Sequence, residues 1–442
     1  MRGFLASSIG VTCAAALALP LTLPTTSHAA PTVAQDVLPG STQSLPLTNL
    51  TATRAAGAPQ EQGLPQRDVR PFSLVGVVWD DPNVELDGHV QVRTRTTGTT
   101  TWSAWQDVES HNDDAPDPDT PERTSGHVRG STAPLWVGDS DGVEVRVKAE
   151  TTRAAPQGEG AVLPEGLRLE LVDPGDEPSQ GAPADGPRGA ALTAESAAAS
   201  AVNAELAPLG ATAIPALTKK STEDELIEAR GGEPDATKVR PYVGARPRIV
   251  TRKGWGANEK LRERDFVYTK TVKAAFVHHS ASGNNYRCSQ APSVIRSIYR
   301  YHVKSSGWRD VGYNFLVDKC GTIYEGRAGG VARPVMGAHT LGFNTNSMGI
   351  AVLGTFGRSN PPKAALNAIA KLTAWKLGLY GANPRGTTYL KSGGGNLYRK
   401  GKNVRLHVIS GHRDGFATEC PGRRLYNKLG KARTSSARLQ GR

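Results

Sequence analysis

The charge of this chain is divided so unevenly along its length that we expect at least two dissimilar units. Residues 1–244 carry 18 Lys and Arg against 33 Asp and Glu, a net charge of −15. Residues 245–442 carry 35 against 8, a net charge of +27. At 442 residues the chain is also too long for one ordinary domain. The basic part should seek anionic partners, and nucleic acid, anionic membranes and anionic cell-wall polymers all qualify.

The N-terminal segment has the pattern of a secretory signal peptide. Arg2 precedes an apolar run over residues 4–23, and small residues stand one and three positions before a cut after Ala29. We expect residues 1–29 to be a signal peptide and the protein to be secreted, extracellular and associated with the cell wall. The alternative is a membrane anchor. Two prolines interrupt the run and no stop-transfer cluster follows, so no membrane anchor is expected after cleavage.

Removal of that segment leaves three cysteines, Cys288, Cys320 and Cys420. In an oxidising compartment, an odd number indicates one disulfide and one cysteine with another task. One assignment pairs Cys288 with Cys320 and leaves Cys420 for a metal ion. The alternative for Cys420 is a free buried thiol.

Composition divides the remaining chain into four zones and a tail. Residues 30–65 are rich in Ala, Pro, Thr and Ser and are predicted to be disordered. Residues 66–175 contain short alternating runs between Gly, Asp and Pro turns, which predicts an all-β, sandwich-like domain. Residues 176–245 are predicted to be an Ala/Pro/Gly-rich disordered linker with at most one short charged helix. Residues 246–430 alternate between strand and helix patterns, which predicts an α/β domain with a mixed central sheet flanked by helices. Residues 431–442 are predicted to be a flexible basic tail.

The α/β zone contains histidines and a cysteine that suit a metal site. Residues 274–279 have the pattern of a buried strand, so His278 and His279 should point to opposite faces and only one can enter a given pocket. His412 follows another predicted strand, and Cys420 lies eight residues later across a loop bounded by Gly and Pro. Two imidazoles and one thiolate leave one position of a tetrahedral Zn²⁺ ion open, as in catalytic zinc sites. Each signal is weak alone, since a histidine at a strand end is more often a packed or surface residue.

Five ordered motifs in the basic half are more specific. They are Phe276-Val277-His278-His279-Ser280, the stretch GWRDVGYNF over residues 307–315, Tyr324-Glu325-Gly326-Arg327, Gly337-Ala338-His339-Thr340, and the stretch from Gly411-His412-Arg413-Asp414 to Cys420-Pro421-Gly422. From about Arg246 to Leu429 the chain resembles the peptidoglycan recognition protein and type 2 N-acetylmuramoyl-L-alanine amidase family, which includes phage T7-type lysozyme. The order of signal peptide, β-rich module and amidase domain is similar to that of secreted actinobacterial members.

The resemblance implies a set of site residues. By it, the zinc ligands are His278, His412 and Cys420, and the two further catalytic residues are Tyr313 and Thr418. The T7-type enzymes have lysine at the position of Thr418, whereas catalytic animal members have threonine. The residues implied to line the muropeptide groove are His302, Trp308, His339 and Asn344. The alternative is that Trp308 packs beneath a loop and His302 is a partly exposed helix residue.

The resemblance also implies an activity. It implies hydrolysis, with Zn²⁺ as cofactor, of the amide bond between the lactyl group of N-acetylmuramic acid and L-alanine in peptidoglycan. The Gly307-Trp308 pair is similar to the version associated with diaminopimelate in the stem peptide. Cys420 favours hydrolysis, because members that only bind peptidoglycan typically lack this cysteine.

Two other classes of function stay open as alternatives. One is a non-catalytic peptidoglycan-binding receptor. The other is a zinc-dependent nucleic-acid protein, against which export and the lack of a Cys/His finger spacing count, so nucleic acid is not an expected partner. The net charge of +27 favours additional binding to anionic wall polymers.

Overall fold

The structure, a computed structural model, describes residues 40–50, 60–110, 114–150, 162–176, 193–207, 209, 211–232 and 241–442. The predicted signal peptide lies outside these residues. Within the described ranges, no helix is long and apolar enough to cross a membrane.

The described residues of the N-terminal half form one antiparallel sheet of eight strands. The strands are β1 (Ser41–Pro46), β2 (Thr48–Asn49), β3 (Glu61–Trp79), β4 (Gly88–Thr96), β5 (Gln106–Val108), β6 (Gly130–Ser131), β7 (Leu135–Ala149) and β8 (Arg168–Asp173). Their order is β1-β8-β3-β7-β4-β5, with β2 and β6 paired to β3. Alternate residues of β4, such as Val90 and Val92, are buried, as period-two patterning requires. The all-β prediction is confirmed.

The prediction of disorder over residues 30–65 is wrong for the part that the structure describes. Strands β1 and β2 and the first residues of β3 lie there. The residues of β1 are polar and half exposed because this strand lies at the edge of the sheet and pairs only with β8. An edge strand of this kind lacks the alternation by which strands are recognised in sequence.

The described residues of the C-terminal half are built on a mixed sheet of seven strands. These are β9 (Ala213–Ile214), β10 (Ile249–Val250), β11 (Ala274–His279), β12 (Phe315–Val317), β13 (Ile323–Glu325), β14 (Ser347–Val352) and β17 (Ile409–Gly411), while β15 (Thr387–Lys391) and β16 (Asn403–His407) form a separate hairpin. The order is β17-β11-β14-β12-β13-β10-β9. Strand β11 runs parallel to both of its neighbours, β14 and β17. The predicted mixed α/β architecture is confirmed.

Helices cover both faces of this sheet. The helices of the described residues are α1 (Ala194–Ala201), α2 (Lys219–Ala229), α3 (Ala291–Arg300), α4 (Lys363–Leu379), α5 (Arg423–Tyr426) and α6 (Leu429–Gln440). Val294 and Ile298 of α3 pack with Leu316 and Ala351 on one face. On the other face, α4 packs against the alternate residues of the same strands, Phe315 and Ile350 among them. One π-helical turn, Tyr301–Ser305, extends α3.

Two predicted boundaries are corrected by the structure. The predicted linker, residues 176–245, contains helix α1 and strand β9 besides the expected charged helix, and β9 adds an edge strand to the C-terminal sheet. The prediction of a flexible tail over residues 431–442 is wrong, because most of it lies in helix α6. Ala432 and Ala437 of α6 are buried, and the Ser436 hydroxyl lies 3.0 Å from that of Thr373 in α4. The many basic residues of this segment occupy the exposed side and hide its helical packing.

The N-terminal sheet and the C-terminal domain share a hydrophobic core, and residues 39–442 form one compact unit. Leu74, Val78 and Val172 of the first sheet are buried in one cluster with α3. Beside them, the Tyr301 hydroxyl contacts two carbonyl oxygens of the N-terminal domain, Val77 O at 3.3 Å and Thr132 O at 3.1 Å. This interface fixes the N-terminal domain against the face of the sheet that carries the site described below.

A disulfide joins Cys288, just before α3, to Cys320 in the β12–β13 hairpin, as the sequence predicts. Because the loop it closes spans 32 residues, its loss should lower the free energy of unfolding by about 3–4 kcal/mol. The measurement is urea denaturation of the Cys288→Ser/Cys320→Ser protein. Reduction of the wild-type protein should give the same loss and should leave the double variant unchanged; a wild-type protein indifferent to reductant would contradict the prediction.

Candidate metal centre and groove

Strand β11 presents its two histidines to opposite faces of the sheet. His278 is fully buried on the face of α3, where its ring lies 4.5 Å from that of His412, centroid to centroid. His279 points the other way, and its Nδ1 accepts a hydrogen bond from Phe356 N at 3.2 Å while its Nε2 lies 3.2 Å from the Glu109 carboxylate. Only His278 therefore enters the site, as the alternation of the strand requires.

His412 and Cys420 reach His278 from the neighbouring strand and loop. Strand β17 pairs in parallel with β11, with Val277 opposite Gly411, so His412 follows at the same end of the sheet. The Cys420 Sγ lies 3.7 Å from His278 Nδ1, and Cys420 is the cysteine of the described residues that lies outside the disulfide. The ligand atoms of all three side chains lie within 4.8 Å of one another, and all three residues are buried.

This donor set fits a zinc ion. Neutral imidazole nitrogens and a thiolate are the donors that Zn²⁺ prefers, and three of them leave a fourth position open. Burial lowers the pKa of His278 to about 3, with a smaller contribution from His279. Burial lowers the pKa of His412 to about 3 as well, with His278 contributing further. Both imidazoles are therefore neutral near pH 7, and both ring nitrogens of His412 are buried without a hydrogen-bond partner.

Asp114, a residue of the N-terminal domain, reaches this cluster. Its Oδ1 lies 3.0 Å from His278 Nδ1 and 3.4 Å from His412 Nδ1. Its Oδ2 accepts a hydrogen bond of 2.5 Å from the Tyr313 hydroxyl. Burial raises the pKa of Asp114 to about 6, against the opposing influences of His412 and the Tyr313 hydrogen bond.

Of the two residues predicted to assist catalysis, Tyr313 lies beside His278, whereas Thr418 lies in the loop before Cys420. Tyr313 is buried beside His278, with ring centroids 5.5 Å apart, and burial together with Asp114 raises the pKa of its hydroxyl well above the usual value. Tyr313 is therefore a neutral hydrogen-bond donor. Thr418 is half-buried in the loop before Cys420, and its hydroxyl accepts a hydrogen bond from Cys420 N at 3.2 Å. This contact fixes the loop that carries the thiol.

The four predicted groove residues are all buried, so none of them lines an open groove. His302 stacks on Trp308 with centroids 4.3 Å apart, and both are nearly fully buried. Ala115 and Val128 of the N-terminal domain pack on Trp308, which is closer to the alternative of packing beneath a loop. His302 is not a partly exposed helix residue, because it is only 1% exposed, and this burial lowers its pKa to about 3.

The other two predicted groove residues contact each other, and one of them lies beside His278. The ring of His339 is 5.3 Å from that of His278, and its backbone N donates to Asn344 Oδ1 at 2.7 Å. Asn344 is fully buried and donates through Nδ2 to Asp117 Oδ1 at 2.7 Å.

Sequence reasoning missed the contribution of the N-terminal domain to this region. Asp114, Asp117 and Glu122 belong to a segment that the sequence marks only as acidic and proline-rich, DAPDPDTPE over residues 114–122. A run of this composition ordinarily indicates a solvated turn. The sharp charge difference between the two halves was the one available signal.

In comparisons with known proteins, each half of the chain matches a protein family. Residues 29–165 match the Rv3811 N-terminal galactose-binding domain-like family, and residues 268–423 match the N-acetylmuramoyl-L-alanine amidase family. Peptidoglycan-recognition protein SC1a/b of Drosophila simulans is 34% identical over 188 residues, covering 42% of this chain and 87% of that protein. The N-acetylmuramoyl-L-alanine amidase of Homo sapiens is 30% identical over 202 residues, covering 44% of this chain and 30% of that protein.

Among solved structures, Drosophila PGRP-LB is similar with 26% identity and a TM-score of 0.33, covering 41% of this chain and 91% of that one. On the sequence relatives and the amidase match, the chain belongs to the peptidoglycan recognition protein and type 2 N-acetylmuramoyl-L-alanine amidase family. The family assignment made from the five motifs is confirmed.

The two adjacent histidines give a matched test of the metal site. His278→Ala should lose at least about 90% of bound zinc, because it removes one of three donors. His279→Gln should retain its zinc, because that side chain lies on the other face of β11. Zinc content per protein after dialysis is the measurement, and equal loss in both variants would contradict the ligand assignment.

The buried histidines predict acid sensitivity of the metal-free protein. Burial holds the pKa of His278, His302 and His412 at about 3, whereas an unfolded histidine titrates near 6.5. Between these values the unfolded chain binds more protons, so the free energy of unfolding should fall by about 3 kcal/mol or more from pH 6.5 to pH 4.5. Buried carboxyls act in the opposite direction, since burial raises the pKa of Asp114 to about 6 and that of Glu325 to about 7. His339, whose pKa burial lowers well below 6.5, adds to the effect of the three histidines.

Urea denaturation of chelator-treated protein across this pH range measures the effect. His89, which is half exposed on the N-terminal sheet, supplies the control, and His89→Gln should follow the wild-type curve. A free energy of unfolding that is flat from pH 6.5 to pH 4.5 is the contrary result.

Proposed function

We propose that the chain is a secreted, zinc-dependent N-acetylmuramoyl-L-alanine amidase that hydrolyses the bond between the lactyl group of N-acetylmuramic acid and L-alanine. The observation that carries the proposal is the convergence of two buried imidazoles and a buried thiol beside the ring of Tyr313. A receptor that only binds peptidoglycan has no need of a thiol here. Membership of the family supports the substrate class.

His278, His412 and Cys420 would hold the ion, and their burial keeps competing water away from the donors. When bound, Zn²⁺ supplies Lewis acidity that lowers the pKa of water to roughly 7. Thr340 orients the first of these ligands, because its hydroxyl lies 3.4 Å from His278 Nε2 and leaves Nδ1 directed toward Cys420.

Tyr313 would stabilise the oxyanion that develops on the scissile carbonyl. Its raised pKa keeps the phenolic proton in place, so the hydroxyl can donate throughout the reaction. Removing one such donor typically slows turnover about 100- to 1000-fold. Thr418 would act through the loop, since its contact with Cys420 N keeps the thiol in position.

The proposed substrate is the muropeptide stem of peptidoglycan, of the diaminopimelate type, with anionic wall polymers as further partners. The basic charge of residues 245–442 supports retention on such polymers. Gly307 has a structural reason to be glycine as well as a role in stem recognition: its φ is +73°, and a Cβ there would lie 1.9 Å from His127 O. Because the backbone itself requires Gly307, the proposed preference for a diaminopimelate stem is supported by Trp308. Digestion of the two wall types tests it.

The function is tested by mass spectrometry of purified sacculi digested with and without a chelator. We expect release of intact stem peptides that begin with L-alanine, abolished by the chelator, and faster release from diaminopimelate walls than from lysine walls. Because Asp114 contacts both imidazoles and the Tyr313 hydroxyl, an Asp114→Asn chain is digested in parallel. Binding to sacculi without release of stem peptide by either chain would favour the receptor.

Tyr313→Phe tests the oxyanion role. We expect kcat to fall about 100-fold or more while zinc content stays at the wild-type value, because the hydroxyl is not a ligand. Tyr324→Phe is the matched control, since it removes another buried tyrosine hydroxyl. That hydroxyl lies away from the site and donates a hydrogen bond of 2.9 Å to Asp318 Oδ2. Equal rates for the two variants would remove Tyr313 from the mechanism.

A further inference from the structure

An acidic segment of the N-terminal domain lies along the region predicted to bind the muropeptide. This segment, residues 114–122, carries three carboxylates that are almost fully buried, Asp114, Asp117 and Glu122. It contains none of the strands or helices described above. Each of the three carboxylates meets a different part of the C-terminal domain.

The Asp114 carboxylate lies beside the two histidines of the candidate metal centre. Its Oδ1 lies close to a nitrogen of each histidine, at 3.0 and 3.4 Å, yet this buried oxygen has no hydrogen bond and neither does His412 Nδ1. Buried polar atoms without a hydrogen-bond partner are rare, and a catalytic role or a bound water or ion is a common reason for them. The distances also suit donors around one zinc ion, for which tetrahedral geometry gives an N···O separation of about 3.3 Å.

The Asp117 carboxylate occupies the polar atoms of Asn344. Its Oδ1 accepts hydrogen bonds from Asn344 Nδ2 at 2.7 Å, from Asn344 N at 3.2 Å and from Gly342 N at 2.8 Å. The backbone of the segment is engaged too, since Ala115 O accepts from Asn344 Nδ2 at 2.9 Å. A ligand that needs Asn344 would have to displace all of these contacts.

The Glu122 carboxylate is paired with Arg327. The two oxygens accept from Nη1 and Nη2 at 2.8 and 2.9 Å, a bidentate geometry, and both side chains are about 95% buried or more. Arg309 N adds a hydrogen bond to Oε1 at 3.1 Å. Arg327 therefore requires a carboxylate at this position, because removing one partner of a buried ion pair leaves an uncompensated charge.

We propose that residues 114–122 are an internal ligand that occupies the muropeptide groove and covers the open metal position through Asp114, so that the chain is latent until this segment is displaced. The proposal rests on the proposed amidase function for the meaning of the groove. The segment has the chemistry of an acidic peptide with a backbone carbonyl and spaced carboxylates. The groove it fills therefore suits a peptide that carries carboxylates, as a peptidoglycan stem does.

The test compares the wild-type chain with the Asp114→Asn/Asp117→Asn/Glu122→Gln chain, which keeps the shape of the segment and removes its charge. Asp119→Asn is the matched control, because Asp119 lies in the same segment but is exposed and pairs with Lys400 at the surface. Since the last of the three substitutions leaves Arg327 without a counter-charge, the Asp114→Asn/Asp117→Asn chain serves if the triple variant does not fold.

Two readouts report access without requiring turnover. The first is the visible spectrum of the cobalt-substituted proteins titrated with azide, which needs an open coordination position. The second is the affinity of the zinc-loaded proteins for the free stem tripeptide, in its diaminopimelate and lysine forms, which lacks the scissile bond. We expect the spectrum of the triple variant to change at an azide concentration at least tenfold lower than that needed for the wild-type chain and Asp119→Asn. We also expect the triple variant to bind one tripeptide at least tenfold more tightly than either of them.

Equal azide responses of the wild-type chain and the triple variant, or equal tripeptide affinities, would overturn the proposal. Digestion of sacculi separates this outcome from failure of the amidase function. If the triple variant gains access by both readouts but releases no stem peptide, the latent groove stands and the amidase does not. If the wild-type chain releases stem peptide as fast as the triple variant and the two bind alike, the amidase stands and latency does not.

Discussion

The site depends on one strand, β11, which is buried on both faces and paired in parallel on both edges. Such a strand has no freedom to slip, because a shift of one residue would exchange His278 for His279 at the candidate metal centre. Its register with β17 brings His412 to the same end of the sheet. The loop that follows then needs only to return Cys420, and its hydrogen bond to Thr418 stabilises that return.

Charge complementarity between the two halves is the second feature of the architecture. The basic half was expected to find anionic partners outside the chain, yet Arg327 and Lys400 pair with carboxylates of its own N-terminal domain. Burial of such groups is costly unless each is paired, and Asp117 and Glu122 are fully paired with donors of the C-terminal domain. Asp114 is the partial exception: its Oδ2 is paired with Tyr313, whereas its Oδ1 has no hydrogen-bond partner and lies beside His278 and His412. This arrangement joins a domain interface to a binding site.

Much of the C-terminal fold was predictable because its strands are continuous apolar runs and its helices are amphipathic. The strand over residues 274–279 was predicted with the bounds that the structure has. Prediction failed where the hydrophobic pattern of a segment does not show how that segment packs. Residues 41–46 pair at a sheet edge with a polar sequence, and α6 hides two buried alanines among basic residues. Local sequence carries no record of a partner that lies far away along the chain.

What the sequence by itself determined was the set of chemical groups and their local geometry: adjacent histidines on a strand, a third histidine and a cysteine in a loop, and the family to which these motifs belong. What only the tertiary structure decided was the meeting of residues 114–122 with the C-terminal domain, together with the burial of Trp308 against Ala115 and Val128 of the N-terminal domain. The reason is physical. Periodicity encodes which face of an element is apolar, whereas the contact between Asp114 and His278 joins residues 164 positions apart and depends on how two separate sheets pack.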